Sequence, residues 1–360
     1  MCIRDSGKIV VSGITENGTD FDMFVRRYNS DGSVDTGFGT NGTATAGFGA
    51  GIEDYGRSMT LQPDGKIVLA GTLDNGGTYE YLVVRFDIDG TLDTSFDGDG
   101  RVTTSIASGH DVVRDVEVQP DGKIVVSGLS HNGSNWDFSV VRYNVNGSLD
   151  TSFSGDGKVT TAIGAGDDRG ESLALQADGK ILVTGSSHNG TDTDLALVRY
   201  NADGTLDTSF DGDGKMTQAL GPGTDTGYEV AVQSDGRILV SGRTHTGANF
   251  DSALLRFNTD GTFDTTFDDT GSGILSASST FVEDGTPVVL DSDVTIFDAE
   301  LSAAGNFAGA TLTLERNGAA NSDDVFSATG TLGALTESGN LVVGGTTIGT
   351  VTINSGGTLV

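Results

Sequence analysis

Carboxylates recur in this chain where a cation could sit. Five times it reads Asn/Asp-x-Asn/Asp-Gly-Ser/Thr-apolar-Asp: Asn29/Asp31/Asp35, Asp87/Asp89/Asp93, Asn144/Asn146/Asp150, Asn201/Asp203/Asp207 and Asn258/Asp260/Asp264. Asp-Gly-Asp-Gly follows at Asp97 to Gly100 and Asp211 to Gly214. Calcium takes about six to eight oxygens, and a tight Asp-x-Asp-Gly loop can supply several of them. The candidate calcium ligands are Asp87, Asp89, Asp93, Asp203, Asp207, Asp211 and Asp213, with Asp284, Asp298 and Glu300 further on. Calcium is the one cofactor expected. The motif lacks the third acid and closing Glu of an EF-hand. The competing reading is an Asx turn, in which Asn or Asp oxygens cap their own backbone. Asn144 and Asn146 favour that reading, because amides replace the acids there.

Other chemistry is sparse. His131, His188 and His245 stand 57 residues apart, as turn residues of a repeated hairpin placed at the outer edge of each unit. Side chains so placed diverge beyond the ~2 Å ligand distance of a shared metal. There is no Gly-x-Ser-x-Gly elbow, and the Asn-Gly-Ser/Thr sites read as turns. Of 20 Lys and Arg, 13 fall in three columns: Lys8/66/123/180 with Arg237, then Arg27/85/142/199/256, then Arg101/Lys158/Lys215. A column of acids runs through Asp22, Glu80, Asp137, Asp194 and Asp251. Each Arg of the second column ends an apolar strand. A buried Arg must be paired, so these five are expected to meet a carboxylate of their own or the next unit.

Composition sets the bounds. The chain has 360 residues, 51 Asp+Glu against 20 Lys+Arg, a net charge of −31, 55 Gly and one Cys. Such acidity excludes a nucleic-acid footprint built on basic residues. One Cys excludes a disulfide framework and a Cys-based zinc site, and no apolar run reaches the length of a membrane span.

The elements that carry these residues are repeats. Gly-Lys-Ile-Val-Val-Ser-Gly at Lys8 recurs at Lys66, Lys123, Lys180 and Arg237, with steps of 58, 57, 57 and 57. Arg-Tyr/Phe and Asp-Thr-x-Phe keep the same step. A period of this size means a propeller, solenoid or array. Read from Lys158, one unit holds four strands: Lys158-Val-Thr-Thr-Ala-Ile, Glu171 to Gln176, Lys180 to Gly185 and Asp194 to Tyr200. Asn189-Gly190 between the last two is a strong hairpin signal. Both faces of these strands carry apolar residues, which fits blades stacked face to face. On this phase the first copy lacks two strands. Residues 1–6 have no counterpart in the other copies and read as a non-native start, which would make Cys2 foreign.

Gln-Pro-Asp-Gly-Lys-Ile-Val (Gln62 to Val68, Gln119 to Val125), Arg-Tyr/Phe and Gly-Thr/Ser-Leu-Asp-Thr-Ser-Phe (Gly90 to Phe96, Gly147 to Phe153, Gly204 to Phe210) resemble the bacterial delta-60 repeat. That resemblance implies an extracellular or cell-surface β-propeller-type scaffold without assigned catalytic residues. From Thr280 the vocabulary changes. Glu283-Asp284-Gly285-Thr286-Pro287 and Asp298-Ala299-Glu300-Leu301 resemble cadherin-like β-sandwich modules of bacterial adhesins.

The expected architecture is all-β: a β-propeller-like array of four-stranded, ~57-residue blades over 7–270, open or five-bladed, a linker at 271–280, and a partial C-terminal β-sandwich over 281–360. The expected function is a non-enzymatic scaffold or adhesion segment of a large bacterial surface or secreted protein. Its partners would be a cell-surface glycan or protein and neighbouring domains of the same chain, with neither nucleic acid nor membrane. The alternative is a secreted propeller enzyme or carbohydrate-binding propeller with its site at the axial mouth. That alternative requires non-repeating polar residues on one face. Trp136 occurs in one copy only, which argues against repeated sugar stacking.

Overall fold

The computed structural model describes residues 7–247 and 249–267, together with short strands at either end of the chain. The described residues contain strands and turns but no helix, and so no helix long and apolar enough to cross a membrane. Two units divide at Leu290/Asp291.

The first unit is a row of antiparallel sheets. Sheet 1 joins β1 (Cys2–Ile3), β2 (Ile9–Glu16), β3 (Phe21–Tyr28) and β4 (Thr43–Ala46). Sheet 2 joins β5 (Glu53–Leu61), β6 (Ile67–Asp74), β7 (Tyr79–Phe86) and β8 (Arg101–Thr104). Sheet 3 joins β9 (Asp111–Val118), β10 (Ile124–His131), β11 (Trp136–Tyr143) and β12 (Lys158–Thr161). Sheet 4 joins β13 (Asp168–Leu175), β14 (Ile181–His188), β15 (Thr193–Tyr200) and β16 (Lys215–Gln218). Sheet 5 holds β17 (Thr226–Val232), β18 (Ile238–His245) and β19 (Phe250–Phe257). Together they form an open propeller-like array of blades. The second unit contains β20 (Leu314–Glu315), β21 (Asn340–Val343), β22 (Thr346–Thr350), β23 (Asn354–Ser355) and β24 (Thr358–Leu359). The strands expected at Phe281 and Val294 lie outside the described residues.

The blade phase differs from the sequence reading. Lys158-Val-Thr-Thr closes sheet 3 by pairing with β11, Val141 opposite Lys158, instead of opening sheet 4. Its four residues suit either neighbour by pattern. Hydrogen bonding decides, because Arg142 N–H donates to Gly157 O at 2.9 Å and pulls the strand back along β11. Each blade therefore begins at the Asp54/111/168/225 column, and the Asn-Gly hairpin joins its second and third strands. The first strands β5, β9, β13 and β17 lie successively against one another, which makes them the innermost. Apolar clusters fill each gap between sheets, for example Val10, Met23 and Val25 against Leu69, Leu82 and Val84. The second and third strands are buried on both faces, as their apolar runs require.

One clamp recurs between blades. Arg85, Arg142 and Arg199, each buried, direct Nε to Asp93, Asp150 and Asp207 at 2.6–2.7 Å. Their Nη1 donates to a backbone carbonyl of the following blade, Val145, Ala202 and Thr259, at 2.5–2.6 Å. The guanidinium lies over Phe96, Phe153 or Phe210, 4.5–4.6 Å from the ring centre. Lys66 and Lys123 reach the same carboxylate oxygens at 2.9 Å. Burial opposes ionisation of Asp93 and Asp150. Hydrogen bonds from Ser95 and Lys66, or Ser152 and Lys123, together with the Arg charge, still hold both well below the usual carboxylate range. The arginines thus pair within their own blade, as expected. Their partners are the acids of the Asp-Thr-x-Phe run, and not the separate acid column.

Every complete inner strand carries a one-residue bulge, at Arg57, Arg114, Glu171 and Tyr228. A bulge leaves one residue unpaired and re-aims its side chain. Glycine on the second strand permits it: a Cβ on Gly128 would stand 2.1 Å from Val112 O, and one on Gly185 1.9 Å from Arg169 O. The terminal Gly of the repeated Ile-Val-Val-Ser-Gly run is therefore a bulge device.

A buried carboxylate heads each inner strand. Asp111 accepts from Ile106 N at 2.7 Å and Ser130 Oγ at 2.5 Å. In sheet 2 Leu73 stands where Ser130 does, so Asp54 Oδ1 has no partner. Burial, reinforced by Asp22 and Asp20, pushes the Asp54 carboxyl up to about 7.

Four outcomes follow from this geometry. Arg142→Ala strips Asp150 of its buried guanidinium partner and leaves only Lys123 as a counter-charge, a loss of up to about 3–5 kcal/mol, read as a melting temperature lowered by several degrees. Gly128→Ala should cost at least about 2 kcal/mol by overpacking. Ser127→Ala, which removes a buried hydroxyl without a partner, should be neutral or stabilising in the same melt. A carboxyl with a raised folded pKa binds its proton more tightly folded than unfolded. Asp54 therefore contributes full stability below about pH 4, and that contribution is lost as pH rises through about 7. Melting scans from pH 5 to 8 should fall for the natural chain and flatten for Asp54→Asn.

Candidate active site at the blade axis

The bulged residues are the ones that differ between copies. Around them the repeat barely changes, yet the bulge position holds Arg57, Arg114, Glu171 and Tyr228 in turn. The next residue is Ser58, Asp115, Ser172 or Glu229, and two further on stand Thr60, Glu117, Ala174 and Ala231. The inner strands bring these layers together. Asp115 of sheet 3 accepts from Ser58 Oγ of sheet 2 at 2.7 Å, from Ser172 Oγ of sheet 4 at 3.1 Å and from Leu173 N at 2.9 Å. Arg114 Nε lies 3.2 Å from Glu171 Oε2 across the same gap. Residues two blades apart also feel one another's charge. Asp115 acts electrostatically on Glu229, and Arg57 acts on Glu171.

Three glutamates of this cluster are held above the usual carboxylate range. Burial raises the Glu117 carboxyl, and repulsion from Asp115 and Glu229 adds to it. Burial and the Asp115 charge likewise raise Glu229, against a hydrogen bond from Ser172. Glu171 is raised by burial despite the Arg114 charge. Perturbed carboxyls gathered on one face mark functional sites more often than chance allows. Tyr228, 43% exposed, and Arg57 border the cluster on the solvent side.

The sequence reading missed all of these residues. Its eye was on what repeats, whereas the signal was the column that does not repeat inside a column that does.

The expected calcium ligands are placed elsewhere, on the loops between the third and fourth strands of the blades. Asp87 Oδ1 takes Lys66 at 2.5 Å. Asp89 Oδ1 caps Thr91 N at 2.9 Å and its hydroxyl at 2.7 Å, and Asp203 does the same for Thr205 at 3.0 and 2.6 Å. Asp93 and Asp207 are the Arg85 and Arg199 partners of the clamp. Asp211, at φ 48°, donates its N–H to Asp260 O of the next blade at 2.8 Å. Asp213 Oδ1 accepts from Lys215 N at 2.9 Å. Among the described residues no group of three His, Cys, Asp or Glu converges as a metal site would require. Asp284, Asp298 and Glu300 lie outside the described residues. His131, His188 and His245 each accept a turn N–H through Nδ1, from Gly133, Gly190 and Gly247, at 3.1–3.2 Å. The acid column serves the same hairpins, with Asp137 and Asp194 accepting from Asn132 and Asn189 at 2.8 and 2.9 Å.

Five segments, residues 5–38, 62–96, 119–153, 176–210 and 233–267, match the β-propeller domain of unknown function DUF5122. No curated protein matches the chain. Solved structures similar to it include a protein of unknown function from Bacteroides caccae, 14% identical, covering 72% of this chain and 81% of its own, with a TM-score of 0.37. A gluconolactonase from Xanthomonas campestris is 16% identical, covering 68% and 70%, at 0.37. An endo-arabinase from Bacteroides thetaiotaomicron is 12% identical, covering 72% and 93%, at 0.37. Such likeness speaks to fold alone. The expectation of a non-enzymatic chain is withdrawn, since two of these similar structures carry enzyme names. The chain belongs with the β-propeller-type repeat proteins, and residues 5–267 carry that repeat five times.

Proposed function

We propose that the axial site binds a saccharide or similar polyhydroxylated ligand and cleaves a C–O bond in it by general acid–base catalysis. The observation that carries this reading is the convergence, on the innermost strands, of the residues that vary between otherwise repeated blades. A scaffold has no use for such variation on its innermost strands. A site does, because each blade can supply a different group to one ligand.

The chemistry follows from Glu117 and Glu229. Each is held above its ordinary pKa, and the charge of Glu229 opposes ionisation of Glu117, so Glu117 protonated beside an ionised Glu229 is favoured over two ionised groups. The protonated member donates to the leaving oxygen as the C–O bond breaks. The ionised member takes the proton of the attacking water. Proton transfer of this kind contributes about 10²–10⁴-fold. Asp115 is held in place by four hydrogen bonds, from Ser58 Oγ, Ser172 Oγ, Leu173 N and its neighbour Val116 N, and serves to position the pair. Tyr228 offers an exposed ring against which a sugar face can lie.

The test is a panel of bacterial and plant polysaccharides, with turnover read as new reducing ends and binding read by calorimetry on the whole chain. Glu229→Gln should lower turnover at least about 100-fold while ligand still binds, and should remove one limb of the pH profile. A chain that binds and turns over none of the panel, or a Glu117→Gln/Glu229→Gln double variant as active as the parent, would end this reading.

A further inference from the structure

We infer that the ligand of the axial site carries an anionic group, a carboxylate or a sulfate ester, and that Arg57 binds it. This rests on the proposed axial site and names the class of its ligand.

The argument begins with what the other arginines do. Among the described residues, Arg27, Arg85, Arg114, Arg142, Arg169, Arg199, Arg237 and Arg256 each make an ion pair. Arg26, Arg101 and Arg243 instead lie over the rings of Tyr28, Phe48 and Phe250, at 5.7, 5.2 and 4.4 Å. Arg57 alone has neither a carboxylate nor an aromatic ring. It is exposed and stands at a bulge, the backbone device that turns a side chain out of the sheet ladder. The bulge gives it to the same layer as Arg114, Glu171 and Tyr228. Arg114 is already neutralised by Glu171 at 3.2 Å, so Arg57 is the uncompensated cation of that layer. Its charge reaches Glu171 two blades away and Tyr55 beside it, which places its field over the axial cluster.

The setting sharpens the point. The chain carries a net charge of −31, so its surface repels an anionic ligand almost everywhere. An unpaired arginine in the same strand layer as those carboxyls offsets that repulsion at one place. A guanidinium fork matches the two oxygens of a carboxylate or sulfate by parallel hydrogen bonds, which a lysine cannot reproduce. With the anion on Arg57 and the sugar face on Tyr228, the bond to be cleaved lies over Glu117 and Glu229.

The experiment uses three oligosaccharides of equal length, one uncharged, one of uronic acids and one sulfated but otherwise neutral. Binding to the whole chain is measured at low and high salt, for the parent, Arg57→Ala and Arg57→Lys. Melting temperatures serve as the fold control; Arg57→Ala is expected to melt with the parent because Arg57 holds nothing together. The parent should bind one charged ligand at least tenfold more tightly than the uncharged one, losing the advantage in high salt. Arg57→Ala should bring that ligand's affinity down to the uncharged level, and Arg57→Lys should restore only part of it. The preferred charged ligand identifies carboxylate or sulfate. If the uncharged ligand binds as tightly as both others, with Glu229→Gln still abolishing its turnover and Arg57→Ala without effect, the anionic inference fails and the axial site stands. If none of the three binds, both fall together.

Discussion

Everything in the described array hangs on how one blade holds the next, and that is the work of an arginine. In three successive blades a buried guanidinium is gripped from below by its own aspartate, lies over its own phenylalanine and hydrogen-bonds a carbonyl of the following blade. A buried charge of this kind is costly unless each of its donors is met. The strands, the Asp-Thr-Ser-Phe loop and the neighbouring blade must therefore all be in place at once. The clamp specifies blade spacing more than it adds net stability, because the desolvation of both charges consumes much of their attraction. A backbone bond from the same loop doubles the link: Asp97, Ser154 and Asp211 each donate to a carbonyl of the next blade at 2.7–2.8 Å.

A scaffold fixed at one end of the blades leaves freedom at the axis. There the inner strand needs only its backbone pairing, the buried aspartate that caps the incoming loop, and a glycine opposite the bulge. The bulged side chain itself has no structural duty. Four blades use that freedom in four ways, and the result is a mixed set of cations, carboxyls, hydroxyls and a phenol around one line. The electrostatics follow from the packing: acids drawn from three different sheets are crowded into a partly buried space, so two glutamates hold their protons more tightly than they would in water.

Much of the fold was legible in the chain. The 57-residue step, the four short strands per blade, the hairpin at Asn-Gly and the pairing duty of the Arg column all follow from local chemistry written several times over. Two things were misread, each for a physical reason. Lys158 to Thr161 was attached to the wrong blade, since a short alternating run between two turns carries no record of which strand it pairs with. The Asp-x-Asp-Gly aspartates could be read either as calcium ligands or as Asx turns, because oxygen-rich loops and Asx turns share a vocabulary. Only the structure shows Asp93 and Asp207 taken by arginine and Asp89 and Asp203 by their own turn amides. The hairpin histidines were placed on the correct turns, though between different strands of the blade.

The candidate site was the least legible part. Arg57, Arg114, Glu171 and Tyr228 are far apart in sequence and unlike in chemistry, and no motif joins them. What the chain determined by itself is everything that depends on near neighbours: turns, strands, caps, the glycine of each bulge and the repeat that multiplies them. What only the tertiary structure decided is which non-repeating residues share a space. Proximity across an axis comes from the stacking of whole sheets, and a pKa raised by burial exists only once those sheets have closed around the group.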